Sequence, residues 1–185
     1  MKNNISSKFK YTIDLGVQAT KTTFKLRKSR KDKVVHILVL AFIAIMAGVM
    51  VWDIVREASF TIDLIILIAL CAMELFSLTM PLIIVGVQRR FLKKLDLSQF
   101  DYTITEFSKD KCLESYYKDD KIVMQNVCNI NKLESYKISD QYIFVVFSNF
   151  ACAIFDTATL SVEVDQFIGE LDKIIARNKA SKTKR

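Results

Sequence analysis

The dominant pattern in the 185-residue chain is a pair of long apolar runs joined by a short polar link. The first covers residues 34–52, VVHILVLAFIAIMAGVMVW, where His36 is the one ionisable side chain. A helix over this run is about 28 Å long, close to the hydrocarbon thickness of a bilayer. The second covers residues 64–87 and is interrupted by Glu74 and by Pro81, the single proline of the chain. It is long enough to span with some tilt. Residues 53–63 suit a tight turn, so the pattern predicts a two-helix transmembrane hairpin. The first run exceeds the apolar core of a signal peptide and has no small-residue cleavage pattern after it, which predicts a retained helix.

Beyond residue 94 the pattern changes to short alternations. Residues 102–105 and 112–117 read as strands, with the turn Lys118-Asp119-Asp120-Lys121 after the second. Residues 122–124, 133–138, 142–147 and 151–155 are further strands, and Ser139-Asp140 and Ser148-Asn149 supply turns. The run 142–147, YIFVVF, is apolar on both faces and predicts a central strand. Short links between consecutive strands predict an antiparallel meander. A helix follows, with Ser161 as N-cap and Glu163 and Asp165 in its first turn. Val164, Phe167, Ile168, Leu171, Ile174 and Ile175 form its apolar stripe. The basic segment 179–185 is expected to be disordered.

The first 33 residues carry their own signal. Phe9, Tyr11, Ile13 and Leu15 alternate with polar residues, which predicts a strand, and Val17, Thr20 and Phe24 predict a helix running up to the first span. A lone strand is unstable in water, so it is expected to pair with the sheet formed after the second span. The resulting organisation is an N-terminal strand and basic helix (1–33), a hairpin (34–88), a β domain with its C-terminal helix (89–178) and a tail (179–185). The fold class is α+β, with a cytosolic antiparallel β domain capped by a helix.

Charge fixes the expected orientation. Residues 1–33 hold ten Lys or Arg against two acids, and Arg89, Arg90, Lys93 and Lys94 follow the second span. The link holds Arg56 against Asp53, Glu57 and Asp63. Basic flanks stay inside, so a multi-pass protein of the cell membrane with both termini cytoplasmic is expected, with Trp52 at the outer interface. The formal net charge of +7 therefore divides by region. Residues 95–176 hold seven Lys against fourteen acids. An acidic folded domain removes the main support for a nucleic-acid partner. Arg27, Lys28, Arg30, Lys31, Arg89 and Arg90 are candidate contacts for anionic lipid.

Catalytic signatures are sparse. One histidine and four glycines provide neither a multi-histidine metal set nor a phosphate-binding loop. Cys112, Cys128 and Cys152 are spaced like no zinc module and read as small buried apolar residues in a reducing compartment, with Cys71 inside the second span. No catalytic, cofactor or metal residue is assigned. Glu74 is the candidate intramembrane polar site. It lies opposite roughly Ala41, and His36 sits about 7–8 Å nearer the cytoplasm by helix rise, so direct pairing is expected to be strained. Bonding of a protonated Glu74 to backbone or hydroxyl groups of a neighbouring helix is the expectation, with homo-oligomer contacts included. Ala41, Ala44 and Gly48 offer a small-residue face, expected to pack within the hairpin, and Pro81 is expected to kink or break its helix.

Three segments carry a resemblance: Val127-Cys128-Asn129-Ile130-Asn131-Lys132, the strand 142–147, and Ala153-Ile154-Phe155. With the strand–helix–hairpin–β order, the chain resembles the YcxB-like family of bacterial membrane proteins. These segments look like that family's Trp-x-x-Ile turn, its core strand, and the strand before an Ile-Pro pair. Val127 replaces the family's usual Trp, and Asp156 its usual Pro. The resemblance implies a pleckstrin-homology-like cytosolic domain and brings no catalytic residues with it. The function expected is non-enzymatic: a membrane-held domain that binds a protein partner or organises a complex. The alternatives are a membrane-stress or antimicrobial-peptide immunity factor, and a small transporter or channel subunit using Glu74.

Overall fold

The computed structural model describes residues 4–27, 30–56, 61–95 and 97–183. It divides into two units: residues Met1–Leu26 with Val87–Arg185, and residues Arg27–Gly86. The second unit contains α2 (Arg30–Val55) and most of α3 (Thr61–Lys94). Segments Val34–Val55 and Leu64–Lys94 are long and apolar enough to cross a membrane. Half-buried residues of α2 recur at His36, Val39, Ile43, Met46, Met50 and Asp53. This alternation of three and four residues is the seam spacing of helices packed side by side. Leu64, Leu67, Leu70 and Glu74 form the matching stripe of α3. Most other apolar side chains of both helices are uncovered.

Two expectations for the hairpin change here. Ala41, Ala44 and Gly48 face outward, and a Cβ on Gly48 would meet nothing within 4 Å. The larger residues at seam spacing win the interface because they bury more apolar surface. Pro81 lies inside α3 without ending it. One proline removes one N–H from the ladder, and a 34-residue helix carries enough other bonds to continue.

In the first unit, β1 (Ile5–Phe9), β2 (Tyr102–Phe107), β3 (Lys111–Lys118) and β4 (Lys121–Asn129) form one antiparallel sheet in that order. A second sheet is built in order from β5 (Leu133–Ser139), β6 (Tyr142–Phe147) and β7 (Cys152–Asp156). Strands β2–β4 and β5–β7 are meanders, and β6 is the central strand of its sheet, as its apolar run implies. Asp119 and Asp120 take the left-handed conformation (φ 49° and 57°) that a two-residue hairpin needs.

The N-terminal strand does pair with β2, in the register Ile5↔Phe107 to Phe9↔Thr103. It ends at Phe9, earlier than the alternation through Leu15 implies, because α1 (Ile13–Arg27) begins there. Thr12 caps that helix, its hydroxyl accepting from the Leu15 amide at 3.2 Å. A Cβ on Gly16 would lie 2.7 Å from both Leu92 Cδ1 and the Tyr11 hydroxyl, so a larger residue in this close contact of α1 would have to displace those two side-chain ends. The outer edge of β1 is covered by the segment before α4. The Ser6 amide donates to Ser161 Oγ at 2.9 Å, and the Lys8 amide to Thr159 Oγ1 at 3.0 Å.

Helix α4 (Val164–Thr183) closes one end of the sandwich. Phe167 and Leu171 are fully buried among Phe107, Phe147 and Phe155, and the Phe167 ring meets Phe107 edge-on at 5.5 Å. A second cluster, with Phe9, Leu15, Ala19, Phe144 and Ile154, joins α1 to the sheets. Ser161 is not the N-cap of α4. The first helical bond runs from the Phe167 amide to the Glu163 carbonyl, because Ser161 is engaged with β1. The expected disordered tail is also displaced: α4 continues to Thr183, since nothing after Asn178 is Gly or Pro.

Buried Asn178 donates from its amide to the Ile130 and Leu133 carbonyls at 2.9 and 3.0 Å. Asn178→Leu leaves both carbonyls without this donor. It is expected to destabilise the full chain in detergent by about 2 kcal/mol, read as a lower unfolding midpoint, with Asn178→Gln in between.

Candidate functional site

The alternation of β3 turns Cys112, Glu114 and Tyr116 to the inside of the sandwich. Register pairs Cys112 with Cys128, and Glu114 with Asn126, on β4. On the other side Glu114 faces Thr105 of β2, which in turn faces Ser7 of β1. A polar row therefore crosses the inner face of the four-stranded sheet. Its β1 end is fully engaged: Ser7 Oγ accepts from the Asp156 amide at 2.8 Å and donates to the Asp156 carbonyl at 3.1 Å. Toward β4 the row opens into a cavity of about 400 Å³. Glu114, Tyr116, Asn126 and Cys128 line one wall, Ala151, Cys152 and Ala153 the opposite one, and Tyr11 also borders it. At its rim lies Asn149, next to Phe150, which holds a left-handed backbone at φ 63°.

Glu114 is the dominant electrostatic feature of this cavity. Its Oε2 accepts from the Tyr116 hydroxyl at 2.8 Å and from Asn126 Nδ2 at 3.5 Å. Its Oε1 is buried without a hydrogen-bond partner, as are the Thr103 and Thr105 hydroxyls. Burial pushes the carboxyl up to about 7, outweighing the two hydrogen bonds that favour the ionised form. Burial also raises the Tyr11 and Tyr116 phenols and the Cys112 and Cys128 thiols, and pushes the Cys152 thiol up to about 12. These thiols are therefore protonated and weakly nucleophilic near neutrality. Among the described residues no cluster of three or more His, Cys, Asp or Glu could hold a metal ion. Geometry and charge together describe a cavity with one acidic group and a wall of small side chains.

Glu74 is resolved differently from the sequence expectation. His36 Nδ1 lies 2.6 Å from Glu74 Oε1, within the unit formed by α2 and α3. Helix rise alone separates the two levels, but both side chains are long and lie on the shared seam, so they close the gap. The pair satisfies each polar group with the other and joins the helices at a buried carboxylate. The basic candidates are more dispersed. Arg27 ends α1, and Lys28 lies outside the described residues. Arg30 and Lys31 open α2, and Arg89 and Arg90 are exposed near the end of α3. Arg89 Nη2 lies 4.0 Å from Asp14 Oδ1, an exposed pair that contributes little to stability.

Sequence reasoning passed over Glu114. The usable signal is its position midway between Cys112 and Tyr116 in a strand whose alternation puts those two inside. The three cysteines, distant in sequence, come together on the cavity wall only through strand pairing. No family model, curated protein or solved structure matches the chain.

Two measurements check these sites. An acid whose folded pKa is raised keeps its proton in the fold between pH 4.5 and about 7, while the unfolded chain loses it. Stability from Glu114 is thus lost as pH rises through that window, by about 3 kcal/mol in total. Glu114→Gln is expected to remove this part of the pH dependence and to raise stability at pH 8 relative to the parent, measured by denaturant unfolding in detergent. For the hairpin, Glu74→Leu strands His36 Nδ1 and is expected to cost about 1 kcal/mol in detergent-unfolding titrations. Glu74→Gln, which keeps a hydrogen bond, is expected to stay near the parent.

Proposed function

We propose that this is a non-enzymatic integral membrane protein of the YcxB-like type. Its hairpin crosses the cell membrane with both termini cytoplasmic, and its pleckstrin-homology-like domain binds an extended segment of a protein partner on β4. The observation that carries the reading is the outer edge of β4, which among the described residues pairs only with β3. Nine residues long and free of proline, it exposes Ile122 (54%), Val123 (53%) and Val127 (61%). Natural edge strands are usually blunted by proline, charge or a covering segment, and β1 has such a cover. An edge left open with apolar side chains suits addition of a partner strand.

Supporting features come from the rest of the chain. The antiparallel pairing of β1 with β2 holds the residues before and after the hairpin in one sheet, so a membrane crossed by the helices is crossed an even number of times. Basic residues flank both apolar segments and favour the cytoplasmic side for that sheet. They also suit an anionic lipid surface. Two meanders capped by a C-terminal helix support the pleckstrin-homology-like reading. The acidic balance of residues 95–176 favours a basic partner segment.

The test is photo-crosslinking in cells from a reactive residue at position 127 of the full chain. A discrete protein adduct is expected, lost when Val123→Pro disrupts the edge and kept in Glu74→Gln. No adduct from position 127 or 123, or one indifferent to Val123→Pro, would count against strand addition.

A further inference from the structure

We infer that the cavity between the two sheets is a site for a primary ammonium group, with the Glu114 carboxylate as its anionic anchor and Tyr11 and Tyr116 in its wall. Glu114 is 7% exposed, and its second oxygen already has two donors. The first oxygen has none, and the Glu114 side chain lines about 400 Å³ of open space. Leaving a buried carboxylate oxygen unsatisfied is costly, and a cation-bearing donor is the partner that offsets most of that cost. The cavity lining contains no Lys, Arg or His among the described residues, so the complementary charge has to come from outside.

The wall narrows the ligand further. Tyr11 and Tyr116 stand 5.6 Å apart between ring centroids and are inclined at 59°, an arrangement whose faces favour a cation and an apolar body alike. Ala151, Ala153 and the cysteine side chains complete a surface with few competing donors. A guanidinium would present a planar fork to a single free oxygen, whereas an ammonium needs one strong acceptor and a compact pocket. The ligand class is therefore a small primary amine with an aromatic or aliphatic body. The same group can arrive free, or as a lysine side chain on a strand at β4, which contributes Asn126, Val127 and Cys128 to the cavity. The free-amine form does not depend on β4 taking a partner.

The groups facing Glu114 are the phenols of Tyr11 and Tyr116 and the thiols of Cys112, Cys128 and Cys152, all raised above their ordinary values. Glu114 is thus the one group of this set that changes charge between pH 5 and 8, while an alkylammonium stays charged throughout. Amine affinity is expected to rise with pH through about 7 and then level off.

The experiment titrates the full chain in detergent with phenethylamine and, separately, with its neutral isostere 2-phenylethanol, by calorimetry. A third arm uses an extended peptide with one central lysine, and the same peptide with norleucine there. Expected is binding of phenethylamine, or of the lysine peptide, that weakens roughly tenfold or more in Glu114→Gln, with the neutral counterpart weak. Asn149→Trp, at the exposed cavity rim, is expected to abolish binding while leaving the unfolding midpoint unchanged, which separates ligand loss from misfolding. Binding by phenethylamine alone assigns a free amine, and by the lysine peptide alone a partner side chain. If neither amine binds, if 2-phenylethanol binds as well as phenethylamine, or if Glu114→Gln leaves affinity intact, the inference is overturned. Peptides that bind equally with lysine and norleucine, with no phenethylamine binding, overturn the ammonium site and leave strand addition at β4 standing.

Discussion

The pairing of β1 with β2 is the constraint on which the rest of the structure depends. Between Phe9 and Tyr102 the chain builds three helices and then returns to the strand it left. Five residues of β1 complete the sheet, supply Ile5 and Phe9 to two separate clusters, and place Ser7 at the end of the polar row. Without β1 the edge of β2 is open, and the cavity row loses its anchor at Asp156. One short ladder thus ties the hairpin's two flanks to the domain core.

The sandwich divides its interior between two kinds of physics. At the α4 end, Phe107, Phe155 and Phe167 fill the space with interlocking rings and leave no polar group to satisfy. Toward β4, Glu114 keeps a buried oxygen unpaired in a side chain that lines open volume, and Thr103 and Thr105 of β2 keep unpaired hydroxyls on the same sheet. Close packing would have been more stable there. A raised carboxyl and three half-buried or buried thiols around a void give up part of the stability that close packing would supply, which accords with the binding role proposed for this cavity. The two outer strands of the four-stranded sheet show the same asymmetry: β1 is covered by side chains from the following segment, and β4 is left open.

Much of this fold is legible in the sequence because it follows from local periodicity. The two apolar runs, the all-apolar β6, the Asp-Asp turn and the stripe of α4 each announce their element within a dozen residues. The misplacements have local causes too. Alternation through Ile13 and Leu15 imitates a strand until Thr12 is recognised as a cap, and Ser161 resembles an N-cap until β1 takes its hydroxyl. The site was far less legible. Glu114 acquires its character from strands that are remote in sequence, and the His36–Glu74 contact depends on side-chain reach that counting helix rise leaves out. Ala41, Ala44 and Gly48 look like an interface by size, yet seam position is decided by the larger residues that alternate with them.

The order in which the sheet is made differs from the order in which it can be assembled. During synthesis β1 emerges first, and its partner β2 follows more than ninety residues later, after both apolar helices. Local strand pairs such as β2–β3 need only a short loop to close, while β1 must wait for a closure across the whole hairpin, with the entropy that a loop of that length costs. The strand made earliest is therefore the last to dock. If the hairpin is placed in a bilayer as the chain emerges, completion of the sheet becomes a check on that placement, because a flank left on the wrong side leaves β2 without its neighbour.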